Sequence, residues 1–126
     1  ADHGQFRVRE LGATTVLVAV TGDVDAASAP TLFDRVQALL TGYHQVVLDL
    51  SGVTFFGTAG YSLLHRLETL ATRTARDWVV VSGPEVQRLL QVCDPDRSFP
   101  IASNIVSAVA TLARGPHRTP QLAAHR

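Results

Sequence analysis

Apolar and polar residues follow two different periods along this chain, and the switches between them mark out its elements. Phe6 to Glu10 and Thr14 to Thr21 read as two strands, with Leu11, Gly12 and Ala13 as a tight turn between them. The pair forms a predicted hairpin. Thr21-Gly22-Asp23-Val24-Asp25 is rich in turn formers and is expected to break the second strand. Ser28 and Pro30 then mark a helix start, because Ser can accept from a free amide and Pro suits a first turn. Leu32, Val36, Leu39 and Leu40 recur at helical spacing as far as Gly42. Gln45 to Leu50 is a Val-rich apolar run, the signature of a strand buried on both faces.

Gly52 and Gly57 punctuate a predicted loop, after which Leu63, Leu64, Leu67, Leu70 and Ala71 form one apolar stripe on a helix of about four turns. Trp78 to Val81 is the next buried strand. Pro84 opens a short helix with Val86, Leu89, Leu90 and Cys93 on one face, and Phe99 to Ala102 gives a short last strand. Ser103 is expected to cap a final helix through Ala113, with Ile105, Val109 and Leu112 turned inward. A hairpin followed by alternating helices and strands implies an α/β fold, a single mixed sheet of four to five strands with about four helices. One domain over residues 1–114 is expected. Residues 115–126 lack a periodic apolar face and read as a flexible tail.

Composition narrows the chemistry. Lys plus Arg and Asp plus Glu are 11 each, so no global field favours nucleic acid or an anionic membrane. All the basic side chains are Arg and none is Lys, which removes Schiff-base chemistry and a lysine-dependent P-loop. The single cysteine, Cys93, precludes an intrachain disulfide, and no apolar run is long enough to span a bilayer. A cytoplasmic protein is the expectation. His44 and His65 have no second ligand at helical spacing, so neither a metal nor any other cofactor is expected.

The segment Val46 to Gly60, VVLDLSGVTFFGTAG, runs straight into an amphipathic helix. It resembles the central motif of the STAS family, the domain of anti-sigma factor antagonists and sulfate transporters, in which a D-L-S-like strand end leads to an apolar pair and an Asp-Ser-Ser-Gly-like turn. Thr21 to Asp25 is similar to the family's T-G-E-L-D turn, and Trp78 to Leu90 to its late strand, proline turn and short helix. The resemblance spans roughly residues 6 to 113. It implies a STAS-like fold and a binding module rather than an enzyme.

In that family the first hydroxyl residue of the turn is phosphorylated by an anti-sigma factor that is itself a serine kinase. The resemblance puts Thr58 at that position, with Gly57 in place of the acidic residue, Ala59 in place of the second hydroxyl, and Gly60 retained. It implies an anti-sigma factor antagonist of bacterial stress transcription: the chain binds an anti-sigma serine/threonine kinase and releases a sigma factor, until phosphate on Thr58 ends the binding. Asp23, Asp25, Gly57, Thr58, Ala59, Gly60 and Tyr61 are the implied partner-binding residues. The physical chemistry agrees, since a phosphate at a helix N-terminus meets free amides and the positive end of the dipole.

Plainer roles stand beside these. Thr58 can be a simple N-cap, Asp23 and Asp25 simple turn formers, and Tyr61 a residue packed under the preceding loop. Arg66, Arg73 and Arg76 read as the solvated face of the long helix. The altered Gly57-Thr58-Ala59 turn also suits a non-phosphorylated STAS scaffold or a transporter-associated module. A hydrolase lacks its nucleophile elbow here, and a receiver domain built on Asp49 lacks its Lys.

Overall fold

A computed structural model of the chain describes residues 5–96 and 98–114; the tail read from residue 115 onward lies outside the described residues. The elements run β1 (Gln5–Glu10), β2 (Thr15–Val24), α1 (Ala29–Gly42), β3 (Gln45–Phe56), α2 (Thr58–Thr74), β4 (Asp77–Val81), α3 (Pro84–Cys93), β5 (Ile101–Ala102) and α4 (Ile105–Ala113). They build one five-stranded sheet in sequence order, β1-β2-β3-β4-β5. The predicted hairpin makes the antiparallel pair β1–β2, closed by the Leu11 amide donating to the Thr15 carbonyl at 2.9 Å. All later neighbours are parallel, as crossover helices require.

Strand periodicity divides the core between the two faces of this sheet. Val16, Val18 and Val20 of β2, Val46, Leu48 and Leu50 of β3, and Trp78 and Val80 of β4 face α1, α2 and α3, meeting Leu32, Val36, Leu63, Leu64, Leu67, Val86 and Leu90. Their neighbours Leu17, Val47, Val79 and Val81 face α4 through Ala108 and Leu112. The second core is much the smaller. Glu68 turns inward from α2 and accepts from Trp78 Nε1 at 2.7 Å, satisfying the one polar atom of the largest buried side chain. At the rim Tyr43 donates to Glu10, and that bond, with desolvation and the carboxylate's charge, raises the phenol above its ordinary pKa.

The structure corrects several expectations. The two central strands are longer than their sequence suggests: β2 continues through Thr21-Gly22-Asp23 to Val24, and β3 continues through Gly52 to Phe56. The supposed break and loop pair with each other, Gly22 with Val53 and Val24 with Phe56. Register shifts around Thr21 and Asp23 absorb the turn formers, with Gly22 at φ 86°, a conformation that costs Gly little.

At α4 the cap is Asn104, which accepts from the Ser107 amide at 2.8 Å, and not Ser103. That rotates Ala108 inward with Leu112 and leaves Val109 40% exposed. The last strand is only Ile101–Ala102, and Phe99 is a core residue before it. Ser28 precedes α1 without a side-chain cap bond to it. Cys93 is only half-buried. Arg76 lies beyond the end of α2, beside His44, and Arg66 lies over the Phe33 ring.

Candidate functional site

The last rung between β2 and β3, Val24 with Phe56, brings two distant stretches of sequence together at the C-terminal end of these strands. Asp25 leaves one strand there and Gly57 the other. The Gly57 amide donates back to the Val24 carbonyl at 3.4 Å, and the Gly57 carbonyl accepts from the Gly60 and Tyr61 amides at 2.9 and 3.2 Å. Helix α2 therefore starts with no loop residue to spare: Gly57 is its N-cap in extended backbone, and Thr58 is its first helical residue. Thr58 is thus not the N-cap itself.

This helix end is uncapped. Among the described residues no side chain caps its free amides, and its first turn holds no acidic residue to offset the positive pole of the dipole. Thr58 is exposed, and its hydroxyl makes no hydrogen bond among the described residues. Such a group can accept a phosphate without losing any existing bond. Ala59 is half-buried against the core, and Gly60 is fully packed. A Cβ at position 60 would stand 2.5 Å from Phe56 Cε1, so the helix can sit on that ring only with glycine there.

The acidic candidates have local work. Asp25 Oδ1 accepts from the Ala27 and Ser28 amides, both at 3.0 Å, while Ser28 Oγ accepts from the Asp25 amide at 3.1 Å. The Ser28 hydroxyl hydrogen is shared between the Asp23 carbonyl at 2.9 Å and Asp25 Oδ1 at 3.2 Å. Asp25 therefore organises the turn into α1, as a turn-forming Asp does. Asp23 Oδ1 accepts from Thr54 Oγ1 at 3.0 Å, a bond between the paired ends of β2 and β3.

Tyr61 is half-buried rather than projecting: its ring meets Phe99 edge-on at 5.8 Å and His65 at 6.4 Å. The large apolar residue that does project is Phe55, 49% exposed and paired in register with Asp23. Its ring lies 3.0 Å from where a Cβ on residue 57 would be. Phe55 faces out because the register shifts between Gly22 and Asp23: Thr54 is left between two rungs, so Val53 and Phe56, three residues apart, are both buried. No cluster of metal-ligating side chains occurs among the described residues.

An antiparallel hairpin leading into a parallel sheet, with the uncapped helix start beside its central strands, defines a small α/β domain of a recognisable class. Residues 5–108 match the STAS domain family, and the chain belongs to it. Over 126 aligned residues it is 31% identical to osmosensory protein A of Mycobacterium tuberculosis, covering 96% of this chain and 80% of that protein. An anti-sigma factor antagonist from Mycobacterium paratuberculosis superposes with a TM-score of 0.73 at 26% identity, over 87% of this chain and 94% of that one. The Bacillus cell fate determinant SpoIIAA in its phosphorylated form shares the fold with a TM-score of 0.65 at 12% identity, over 86% of this chain and 99% of the other.

Proposed function

We propose that this chain is an anti-sigma factor antagonist that binds an anti-sigma serine/threonine kinase, so releasing a sigma factor, and that phosphate on Thr58 ends the binding. The observation that carries the reading is the exposed Thr58 hydroxyl, unengaged among the described residues, on the first residue of an uncapped helix. A phosphate there is stabilised by amides that have no other acceptor on their own helix, so the fold need not rearrange. It adds about −1.5 to −2 charge at the strand end where Phe55, paired with Asp23, and Asp25 also lie. Phe55, 49% exposed, supplies that end with an apolar anchor.

Likeness to a protein named as an anti-sigma factor antagonist supports the partner class. A second reading has its own observation: Gly57 and Ala59 stand where the family pattern has an acidic residue and a second hydroxyl, which favours a STAS scaffold that is never phosphorylated. Mass spectrometry of the protein purified from its own cells decides between them. Phosphate mapped to Thr58 is expected, together with at least tenfold weaker capture of the co-purifying kinase by Thr58→Glu than by Thr58→Ala, a difference of about 1.4 kcal/mol. An unmodified Thr58 under every growth condition, with equal binding by both variants, leaves the scaffold.

A further inference from the structure

A partly open cleft of about 680 Å³ separates α3 from β5, within the size range of small-molecule sites. Gln87, Leu90, Gln91 and Asp94 line it from one side of α3, at the spacings of three and four that share a helix face. Opposite them stands Ile101 of β5, 41% exposed, while Leu90 and Phe99 are core side chains that close the base. Ser82 and Ser103, the first residues after β4 and β5, also line the cleft. It thus lies at the carboxyl ends of two parallel strands, where α/β folds commonly hold ligands.

Two of its polar side chains are buried and incompletely used. Asp94 is 7% exposed. Its carboxylate accepts from Ser98, from the amide at 3.0 and 2.9 Å and from the hydroxyl at 2.6 Å, but these donors are neutral, and the charge meets no cation among the described residues. Asp94 is also the C-cap of α3, whose last turn holds no basic residue, so a carboxylate stands at the negative pole of the helix dipole, with exposed Asp96 two residues on. Ser82, 5% exposed, precedes the other end of the same helix. Its Oγ accepts from Gln87 Nε2 at 3.1 Å, and its own hydroxyl hydrogen goes to no acceptor among the described residues. One end of the cleft therefore lacks a cation, and the other an acceptor.

We propose that the α3–β5 cleft binds a linear organic amine carrying an acyl group: its ammonium meets Asp94, its carbonyl takes the Ser82 hydroxyl hydrogen, and the stem between them lies along Ile101. The 10 residues of α3 set the two ends about 15 Å apart at a rise of about 1.5 Å per residue, so the ligand is extended. A bare metal ion fits less well, since no group of three ligating side chains occurs among the described residues. The site is built from other elements than the one that carries Thr58, and it does not depend on the antagonist reading.

The test titrates monoacetylated octamethylenediamine into the isotope-labelled full chain. Amide shifts concentrated in α3 and β5 are expected, with affinity falling roughly tenfold or more for the diacetylated compound, which carries no charge, and for Asp94→Asn, whose side chain can still accept from Ser98. Octylamine, an ammonium without the carbonyl, should bind the unaltered protein at least threefold more weakly than the probe, and Ser82→Ala should bind the two alike. Glu85→Gln is the control, since Glu85 is also on α3 but pairs with Arg88 at 3.5 Å and does not line the cleft. The comparison of compounds on the unaltered protein decides the matter even where Asp94→Asn fails to fold. No shifts at millimolar probe, equal binding of the diacetylated compound or of octylamine, full affinity in folded Asp94→Asn, or equal loss in Glu85→Gln would each overturn the proposal.

Discussion

Gly60 and Gly57 differ by three positions and by a whole class of constraint. At Gly60 a methyl group would overlap the edge of the Phe56 ring, which is buried and cannot swing aside. At Gly57 the nearest atoms belong to Phe55, which is half-exposed and can. Gly60→Ala is therefore expected to lower the unfolding free energy by about 1–3 kcal/mol, the usual range for overpacking a rigid site. Gly57→Ala should cost less than half as much, with both values read from urea unfolding curves. Equal costs would mean that Phe56 yields more readily than its burial implies. The same pair shows what a sequence can reveal about a site. Thr58, Gly60 and the helix start were legible from the motif and the apolar stripe behind it. Phe55 was not, because its outward direction depends on a register shift between β2 and β3 at Thr54, which no local sequence pattern announces.

Helix α2 carries the site at one end and a strained residue at the other. Ala75 closes the helix in the left-handed conformation, φ 57° and ψ 35°, where its amide reaches the Ala71 and Thr72 carbonyls. That geometry suits glycine and costs an L-residue with a Cβ about 1–2 kcal/mol. Replacing Ala75 by Gly should raise stability by roughly 0.5–1 kcal/mol after the added freedom of the unfolded chain is subtracted. Thermal unfolding of the variant checks this; a lower melting temperature would show that the end of α2 is relaxed. Element types were readable because each apolar stripe keeps one period for its whole length. Their ends were not, for a physical reason that recurs here. The hydrogen bonds that extend β2 to Val24 and β3 to Phe56 come from a partner strand some thirty residues away, which outweighs the local turn preference of Thr21 to Asp25. At α4, likewise, Ser103 and Asn104 are both competent caps, and only tertiary packing selects the second.

The whole molecule is held unequally from its two sides. Three helices bury the large core, whereas among the described residues α4 is the only helix on the other face, which it covers through Leu17, Val47, Val79, Val81, Ala102 and its own Ala108 and Leu112. Its outer surface adds nothing, since Val106 is 80% exposed and the helix carries no charge for surface pairing. Amides of α4 are therefore expected to exchange with solvent faster than those in the central turns of α2, and Leu112→Ala should widen the gap by removing protection from α4 while α2 keeps most of its own. Hydrogen exchange followed residue by residue would show uniform protection if the two layers instead open together.

The strand order has a consequence for the chain while it is being made. Because the sheet is assembled as β1-β2-β3-β4-β5, every strand leaving the ribosome finds its neighbour already in place, and none must be threaded between two formed ones. The three helices of the larger layer arrive along the way, each soon after the strand it covers. The face of Leu17, Val47, Val79 and Val81 gains no such early cover from the described elements, of which α4 is the last to emerge. A nascent chain stalled before residue 105 would hold a nearly complete sheet with one oily side bare, the form of this protein most in need of a chaperone.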